Sequence, residues 1–288
     1  ASTPRFLYGM FPKSIEVQMM HENAGDFWCI GENIEEPDME KRRPKKEPSQ
    51  AFGGGPADAR RILNALFYLN KTGCQWRFLP INYPPWQTVY YHVRAWTRRG
   101  LLEGITDMLR RLVRLKQRRN PSPSVALMAS QSVKTSQVGG LRGFDGGKKV
   151  VGRKRHIVVD TLGLLLAVRV HAAGLADSQQ APHVLKQLVG KVPELRVIYA
   201  DQGYVGTPPS LSERCFGWVW RVVHRKAEET GFVVQPKRWI VERTFAWFGG
   251  SRRLSKDYEY LAEVSEAMVR LSAIRLMIRR LTQLLNSL

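Results

Sequence analysis

Apolar spacing divides this chain into a run of helices followed by a region where strands and helices alternate. Between Ala57 and Thr72, Ile62, Leu63, Leu66, Phe67 and Leu69 recur at helical intervals, with Gly73 as a stop. Trp86, Val89, Tyr90, Val93 and Trp96 form one stripe of a second helix that begins after Pro85 and ends at Gly100. Leu102, Ile105, Leu109 and Leu112 predict a third, from Leu101 to about Lys116, with Arg110, Arg111, Arg114 and Lys116 on its outer side. Three short helices with a basic exterior fit a helix-turn-helix-like module.

Beyond Asn120-Pro-Ser-Pro123 the texture changes. Val125–Ala129 reads as a short apolar strand, and Gly139-Gly-Leu-Arg-Gly-Phe-Asp-Gly-Gly147 as a loop because of its glycines. Arg153–Asp160 and Leu164–Ala172 predict a hairpin turned by Thr161-Leu-Gly163. A helix over Asp177–Val189, strands over Arg196–Ala200 and Phe216–Val223, and a helix over Ile240–Trp247 follow, an α/β order. Met268, Leu271, Ile274, Met277, Ile278 and Leu281 predict a long amphipathic helix to Leu284, with Arg270, Arg275, Arg279 and Arg280 outward.

Charge narrows the partner. Lys plus Arg number 45 against 25 Asp plus Glu, a net of +20, and the excess lies after residue 50. Self-repulsion on that scale points to a polyanion, with nucleic acid ahead of an anionic membrane surface because the cations do not gather on one amphipathic helix. No stretch approaches the roughly 18 apolar residues of a membrane span, and no charged-then-apolar leader opens the chain, so membrane insertion and secretion are not expected. Cys29, Cys74 and Cys215 lie far apart without a C-x-x-C pair, which predicts buried thiols rather than disulfides or a zinc site. Residues 1–55, with the tract Lys41-Arg42-Arg43-Pro44-Lys45-Lys46, read as an arm and linker; 56–120 as a helical module; and 121–288 as an α/β domain.

Two acids stand where chemistry is possible. Asp201 directly follows the strand Arg196–Ala200, where side chains enter the crevice beyond parallel strand ends; it suits either a metal or the cap of the next element. Helical spacing sets Arg238, Glu242 and Phe245 or Ala246 along one face. Glu242 is then either the hub of a surface salt bridge or an oxygen ligand to Mg²⁺ beside a phosphate-binding arginine. The exposed arginines of the helical module (Arg94, Arg98, Arg99, Arg110, Arg111) and the clusters Lys148, Lys149, Arg153, Lys154, Arg155; Arg225; and Lys237, Arg243, Arg252, Arg253 suggest a groove for a phosphate backbone.

A series of motifs in fixed order then carries a resemblance. Thr72-Gly-Cys-Gln-Trp-Arg-Phe-Leu-Pro80, Trp86-Gln-Thr-Val-Tyr-Tyr91, Ser130-Gln-Ser-Val-Lys-Thr135, Gly152-Arg-Lys-Arg-His156, Val159-Asp-Thr-Leu-Gly163, Ala200-Asp-Gln-Gly-Tyr-Val-Gly206, Trp239-Ile-Val-Glu-Arg-Thr-Phe-Ala-Trp247 and Arg252-Arg-Leu-Ser-Lys-Asp-Tyr-Glu259 resemble bacterial insertion-sequence DDE transposases over about residues 57–285. The resemblance implies a helical end-binding domain, a ribonuclease-H-like mixed-sheet catalytic domain and a long C-terminal helix. It also implies a homodimer on double-stranded DNA, at terminal inverted repeats and target DNA, with a cytoplasmic, nucleoid-associated location. The chemistry it implies is phosphoryl transfer by three carboxylates and Mg²⁺, with Mn²⁺ as substitute. Asp201 aligns with the second acid, Glu242 with the third, and Arg238 with the arginine of the family's tyrosine-arginine-glutamate-lysine signature, whose tyrosine and lysine positions are here Gln235 and Gly249.

The first acid belongs immediately before Ser130, and this chain has Ala129 there. A methyl group ligates nothing, so the resemblance with this departure predicts intact DNA binding with little or no strand cleavage and poor metal binding. Of the other acids between Asp107 and Asp201, namely Asp145, Asp160, Asp177 and Glu194, Asp160 at the hairpin end is the best placed to substitute. The competing readings are a domesticated DNA-binding or repressor protein without chemistry, and an RNA-processing nuclease of the same fold.

Overall fold

The computed structural model describes residues 58–137, 139–205, 207–222 and 237–286, and at 207–211 and 238 the backbone alone. The chain divides into two compact units, Ala1–Arg60 and Arg61–Leu288, and the described residues belong almost wholly to the second. The arm over 1–55, Arg225 and Gln235 lie outside the described residues.

The centre of the fold is β1 (Val125–Lys134), covered on both faces, which is why its first half is a continuous apolar run rather than an alternating one. On one side it pairs antiparallel with β3 (Val150–Asp160); on the other it pairs parallel with β5 (Val197–Ala200), which pairs parallel with β6 (Val219–Val222). β4 (Leu165–Ala172) lines the outer edge of β3, and the three-residue β2 (Gly143–Asp145) continues that edge. The order β4-β3-β1-β5-β6 with only β3 reversed is the ribonuclease-H-like mixed sheet, as expected. β2 corrects the reading of 139–147 as loop alone: Phe144 pairs with Val151 within a glycine-rich stretch whose local composition hides a strand.

Helices fill both faces. α4 (Asp177–Lys186) sets Ala181, Val184 and Leu185 against Ala126, Met128, Val158 and Ile198. The strand expected over Phe216–Val223 is shorter at its start: α5 (Thr207–Phe216) takes Phe216, and β6 covers Val219–Val222. α5 turns Cys215 outward, and Cys74 is half-buried, so neither is the buried thiol expected.

On the opposite face, α6 (Arg238–Gly249) crosses β1, and α7 (Ala262–Asn286) buries the predicted stripe of Met268, Leu271, Ile274, Met277 and Leu281. The expected helices α1 (Ala59–Thr72), α2 (Trp86–Arg98) and α3 (Leu101–Lys116) form, and α2 and α3 pack on α7. Asn70, fully buried, donates Nδ2 to the Met268 carbonyl (2.9 Å) and accepts from Ser272 Oγ (2.8 Å), so both ends of its amide are paired.

The hairpin turn between β3 and β4 shows what its motif is for. Asp160 Oδ1 accepts from the amides of Leu162 (2.8 Å) and Leu164 (2.9 Å), while its Oδ2 accepts from Arg114 Nη1 (2.6 Å). Gly163 has φ +77°, and a β-carbon there would meet Thr244 Oγ1 at 2.7 Å and the Trp247 ring at 2.8 Å. α6 thus seats on a turn that only glycine allows.

Candidate active site

Parallel register fixes the first two positions. Val125–Met128 pair with Val197–Ala200, so Ala129 and Asp201, each the next residue, stand side by side where β5 ends and β1 runs on with β3 alone. Ala129 pairs with Ile157 and is 7% exposed. Asp201 remains extended and its Oδ1 accepts from the Gly203 amide at 3.0 Å, opening the turn Gln202–Tyr204; the capping role foreseen for it is therefore real.

Which face they share with a helix follows from contacts. At its start, α6 is tied to β5 by Lys237, whose Nζ donates to Tyr199 Oη (2.7 Å) and lies over that ring. Farther along, Phe245, Phe248 and Gly249 enclose a small cavity with Gln131, Val133 and Ile157. The odd-numbered positions of β1, Ala129 among them, therefore face α6. On α6, Ile240, Val241, Thr244 and Phe248 are buried, and Glu242 is exposed at the edge of that stripe, one turn before Phe245. Arg238 begins the helix.

Behind the same strand ends, on the α4 face, lies a polar cluster that sequence reasoning missed. Asp177, first residue of α4, accepts from Ser130 Oγ (2.7 Å) and pairs with Lys154 Nζ (3.0 Å). His156 Nε2 faces Asp177 at 3.6 Å, and His156 Nδ1 meets Tyr204 Oη at 2.7 Å. Burial, then the neighbouring His171, drives the His156 pKa down to about 3, so the ring is neutral. The negative carboxylate facing Nε2 favours the tautomer that carries its proton there, in which Nδ1 accepts from the tyrosine. Burial raises the Tyr204 pKa well above 10, with Asp177 and Asp201 adding to it, so the phenol stays protonated. Lys148 reaches in from the β2–β3 turn to the Ser130 carbonyl at 3.3 Å. The available signal was the motif Gly152-Arg-Lys-Arg-His156 itself: three consecutive cations leading into the apolar run Ile157–Val159 of a strand covered on both faces have to be partnered within the fold.

Five of the cations expected on a DNA-facing surface are buried: Arg110, Arg153, Lys154, Arg155 and Arg253. Each has internal acceptors. Arg110 pairs with Asp107 at 2.7 Å. Arg153 binds Asp257 and the carbonyls of Leu141, Glu259 and Tyr260. Arg155 binds the carbonyls of Leu254 and Lys256, and Arg253 binds Glu259 and the Cys74 carbonyl. Arg114 and Arg270, also expected outside, are buried too. Arg98, Arg99, Arg111, Lys148, Lys149, Lys237 and Arg252 are exposed, although Arg98 and the half-buried Arg94 both approach Glu263. Arg243 lies between the rings of Trp239 and Trp247.

The residues present do not make up a three-carboxylate metal site. Position 129 offers a methyl group, and among the described residues no group of three or more His, Cys, Asp or Glu is gathered to hold a metal ion. Asp160 cannot substitute, since it is fully buried in its turn and its tie to Arg114. The acid beside Asp201 is instead Asp177: the Oδ2 of Asp177 and the Oδ1 of Asp201 each lie 3.1 Å from the place a Gly203 β-carbon would take.

Comparison with known proteins agrees with the motif series. A family model described as "Transposase DDE domain" matches residues 120–277, more than half of the chain, and a model of IS4/5-family transposases matches residues 36–106. A transposase attributed to insertion sequence element IS402 of Burkholderia cepacia is 32% identical over 131 residues; these cover 42% of this chain and 60% of that relative, so the match spans less than two thirds of its length. Among solved structures, the catalytic domain of the Mos1 mariner transposase is similar at a TM-score of 0.32 and 12% identity, over 65% of this chain and 92% of that one. The Mos1 transposase paired-end complex with left transposon end gives a TM-score of 0.24 and 14% identity, over 83% and 82%. By the model matching residues 120–277, the chain belongs to the DDE transposases.

Proposed function

We propose that this chain binds the terminal inverted repeats of an insertion sequence as a homodimer and that, with alanine at 129, it cleaves DNA little or not at all. In this reading residues 56–120 are the end-binding domain, 121–288 the catalytic domain and 1–55 an arm. Asp201 and Glu242 are the two remaining metal-ligand positions of the site and Arg238 its phosphate grip. Transposases of this family generally use divalent metal ions, and the missing third carboxylate argues for weak binding of Mg²⁺ or Mn²⁺ here. Arg98, Arg99, Arg111, Lys148, Lys149, Lys237 and Arg252 supply the phosphate contacts, helped by Arg94 and Arg243. A cytoplasmic, nucleoid-associated location follows from that partner; no helix among the described residues is long and apolar enough to cross a membrane.

The observation that carries the reading is the register: Ala129 stands beside Asp201 on the face crossed by the Glu242 helix, which supports taking 129 as the position of the first acid. The test restores it. Ala129→Asp should cut DNA carrying the element ends in the presence of Mg²⁺ or Mn²⁺, while the parent chain binds the same DNA without cutting. A restored chain that binds and never cuts would favour the second reading, a DNA-binding or repressor protein without chemistry, which the alanine itself already supports.

A further inference from the structure

The turn that carries Asp201 is closed locally by the Asp201 carboxylate and by the Asp201 and Gln202 carbonyls. Gln202, Gly203 and Val205 are exposed, and Tyr204 is the one member of Gln202–Val205 sunk into the core. Its ring packs edge-on against His156 and Trp220, work a phenylalanine would do as well. The hydroxyl is what needs explaining. It is buried, and it finds its acceptor on His156, a fully buried ring in the middle of β3. His156 in turn faces Asp177, and Asp177 is fixed by the Ser130 hydroxyl on β1 and by Lys154 on β3. Asp177 Oδ2 also lies near the turn, 3.1 Å from the point a β-carbon on Gly203 would occupy, so no side chain fits there without displacing it. Elsewhere this face of the sheet is packed with Ala126, Met128, Val158, Val184 and Leu185. Apolar groups of the same volume would serve stability at least as well as a buried ion pair and a buried imidazole, so the polar set has to be doing something packing alone does not. It joins β1, β3, α4 and the turn at one point, directly behind Ala129 and Asp201.

We propose that Tyr204 and Asp177 are positioning residues for Asp201: with His156, Lys154 and Ser130 they form a buried polar brace that sets the turn presenting the Asp201 carboxylate to the α6 face. Tyr204 hangs the far end of the turn from His156. Asp177 limits its near end at Gly203, whose amide Asp201 binds. Lys154 neutralises Asp177, so that the brace does not add an unbalanced negative charge behind Asp201. What the brace does for chemistry rests on the reading of Asp201 as a metal-ligand position; that it sets the turn does not.

The test uses Tyr204→Phe and Asp177→Asn in two settings. In the full chain as it stands, amide hydrogen exchange at Gly203, which donates to Asp201, should quicken about tenfold in each variant, the loss of one hydrogen bond's restraint, and more than exchange elsewhere in the chain, with the thermal midpoint of Tyr204→Phe lowered by a few degrees because His156 Nδ1 loses its buried partner. In the Ala129→Asp background, each variant should lower kcat for cleavage of element-end DNA about tenfold while leaving KM and DNA affinity in place. Unchanged exchange at Gly203 in both variants overturns the brace. So does faster exchange spread evenly over the chain, which would mark plain loss of stability, and so does a full kcat in an active Ala129→Asp background. If Ala129→Asp itself never cuts, the proposed function fails, and the brace is decided on Gly203 exchange alone.

Discussion

Arg153 on β3 and Asp257, a hundred residues later in the loop before α7, form an ion pair of 3.1 Å with both side chains wholly buried. The same guanidinium donates to the Glu259 and Tyr260 carbonyls; Arg253 and Trp76 Nε1 both bind the Glu259 carboxylate, and Ser265 Oγ binds Asp257. Two motifs, Gly152-Arg-Lys-Arg-His156 and Arg252-Arg-Leu-Ser-Lys-Asp-Tyr-Glu259, are thus halves of one polar hub joining the sheet, α7 and the Trp76 turn. Arg153→Met leaves Asp257 buried and uncompensated, and should cost about 3–5 kcal/mol. Urea unfolding followed by tryptophan fluorescence would show it as a lower midpoint with an unchanged slope. Replacing both partners with apolar residues should recover much of the loss, because the charge left alone is the main penalty.

Adjacent arginines on α3 should behave in opposite ways towards DNA. Arg111 is exposed, and Arg110 is buried against Asp107. If Arg111 touches a phosphate, Arg111→Ala weakens binding across all sequences and lowers the slope of log affinity against log salt by about one. Arg110→Met should leave that slope unaltered and reduce stability instead. A fluorescence-anisotropy titration between low and moderate salt reads both. Equal slopes for parent and Arg111→Ala would remove Arg111 from the interface.

The contrast marks where the sequence could be read and where it could not. Periodicity found every long helix because burying an apolar stripe is decided within one turn or two: Ile62, Leu66 and Leu69 repeat locally whatever they pack on. The end of β5 and the acid after it were legible for a similar reason, since Val197–Ala200 and Asp201 are neighbours in the chain, whereas β1 does not end at Ala129 as expected but runs on to Lys134, held by its pairing with β3. An arginine's fate is different. Arg153 finds its acceptors at Leu141, Asp257, Glu259 and Tyr260, and Arg114 its carboxylate at Asp160, none of which the local pattern names. Net charge counted such residues as surface, which overstated the DNA-facing set. β2 and Asp177 escaped for the same reason: a glycine-rich strand and a helix-starting aspartate acquire meaning only from what lies beside them in space.

His156 makes the fold sensitive to acid. Its pKa is about 3 in the folded chain, depressed mainly by burial, against 6.5 for an ordinary histidine. Between these values the unfolded chain takes up a proton that the folded chain refuses, so stability is complete above pH 6.5 and is lost as pH falls towards 3, at up to about 1.4 kcal/mol per pH unit. His171, lowered by burial, acts in the same direction, as does Asp177, lowered by its hydrogen bonds to Ser130 and Lys154 against the opposing effect of burial, though its share is lost only below its ordinary 3.8. Burial raises Asp107 and Glu266, which offset part of the loss near pH 4. Denaturation midpoints at pH 7, 6 and 5 should fall in that order, and His156→Gln should flatten the trend. An identical trend in the variant would show that His156 does not carry it.

Gly163 joins the hairpin to the helix that bears Glu242, and an alanine there tests whether that seat matters. Its φ of +77° already disfavours any side chain, by about 1 kcal/mol. The added methyl also meets Thr244 Oγ1 and the Trp247 ring, and Trp247 cannot easily retreat because Arg243 and Arg280 lie over it at 4.4 Å each. Thr244 is no freer: its hydroxyl binds the carbonyls of Ile240 and Gly163. α6 must therefore lift at its middle, and Gly163→Ala should destabilise the chain by about 2–3 kcal/mol in total. In the Ala129→Asp background it should also reduce cleavage more than DNA binding, because the helix that moves carries Glu242 while the exposed arginines of α2 and α3 stay where they are. Hydrogen exchange along α6, compared with α3 in the same sample, reads the displacement directly. Protection lost equally in both helices would mean that the turn supports the fold at large rather than the seat of α6.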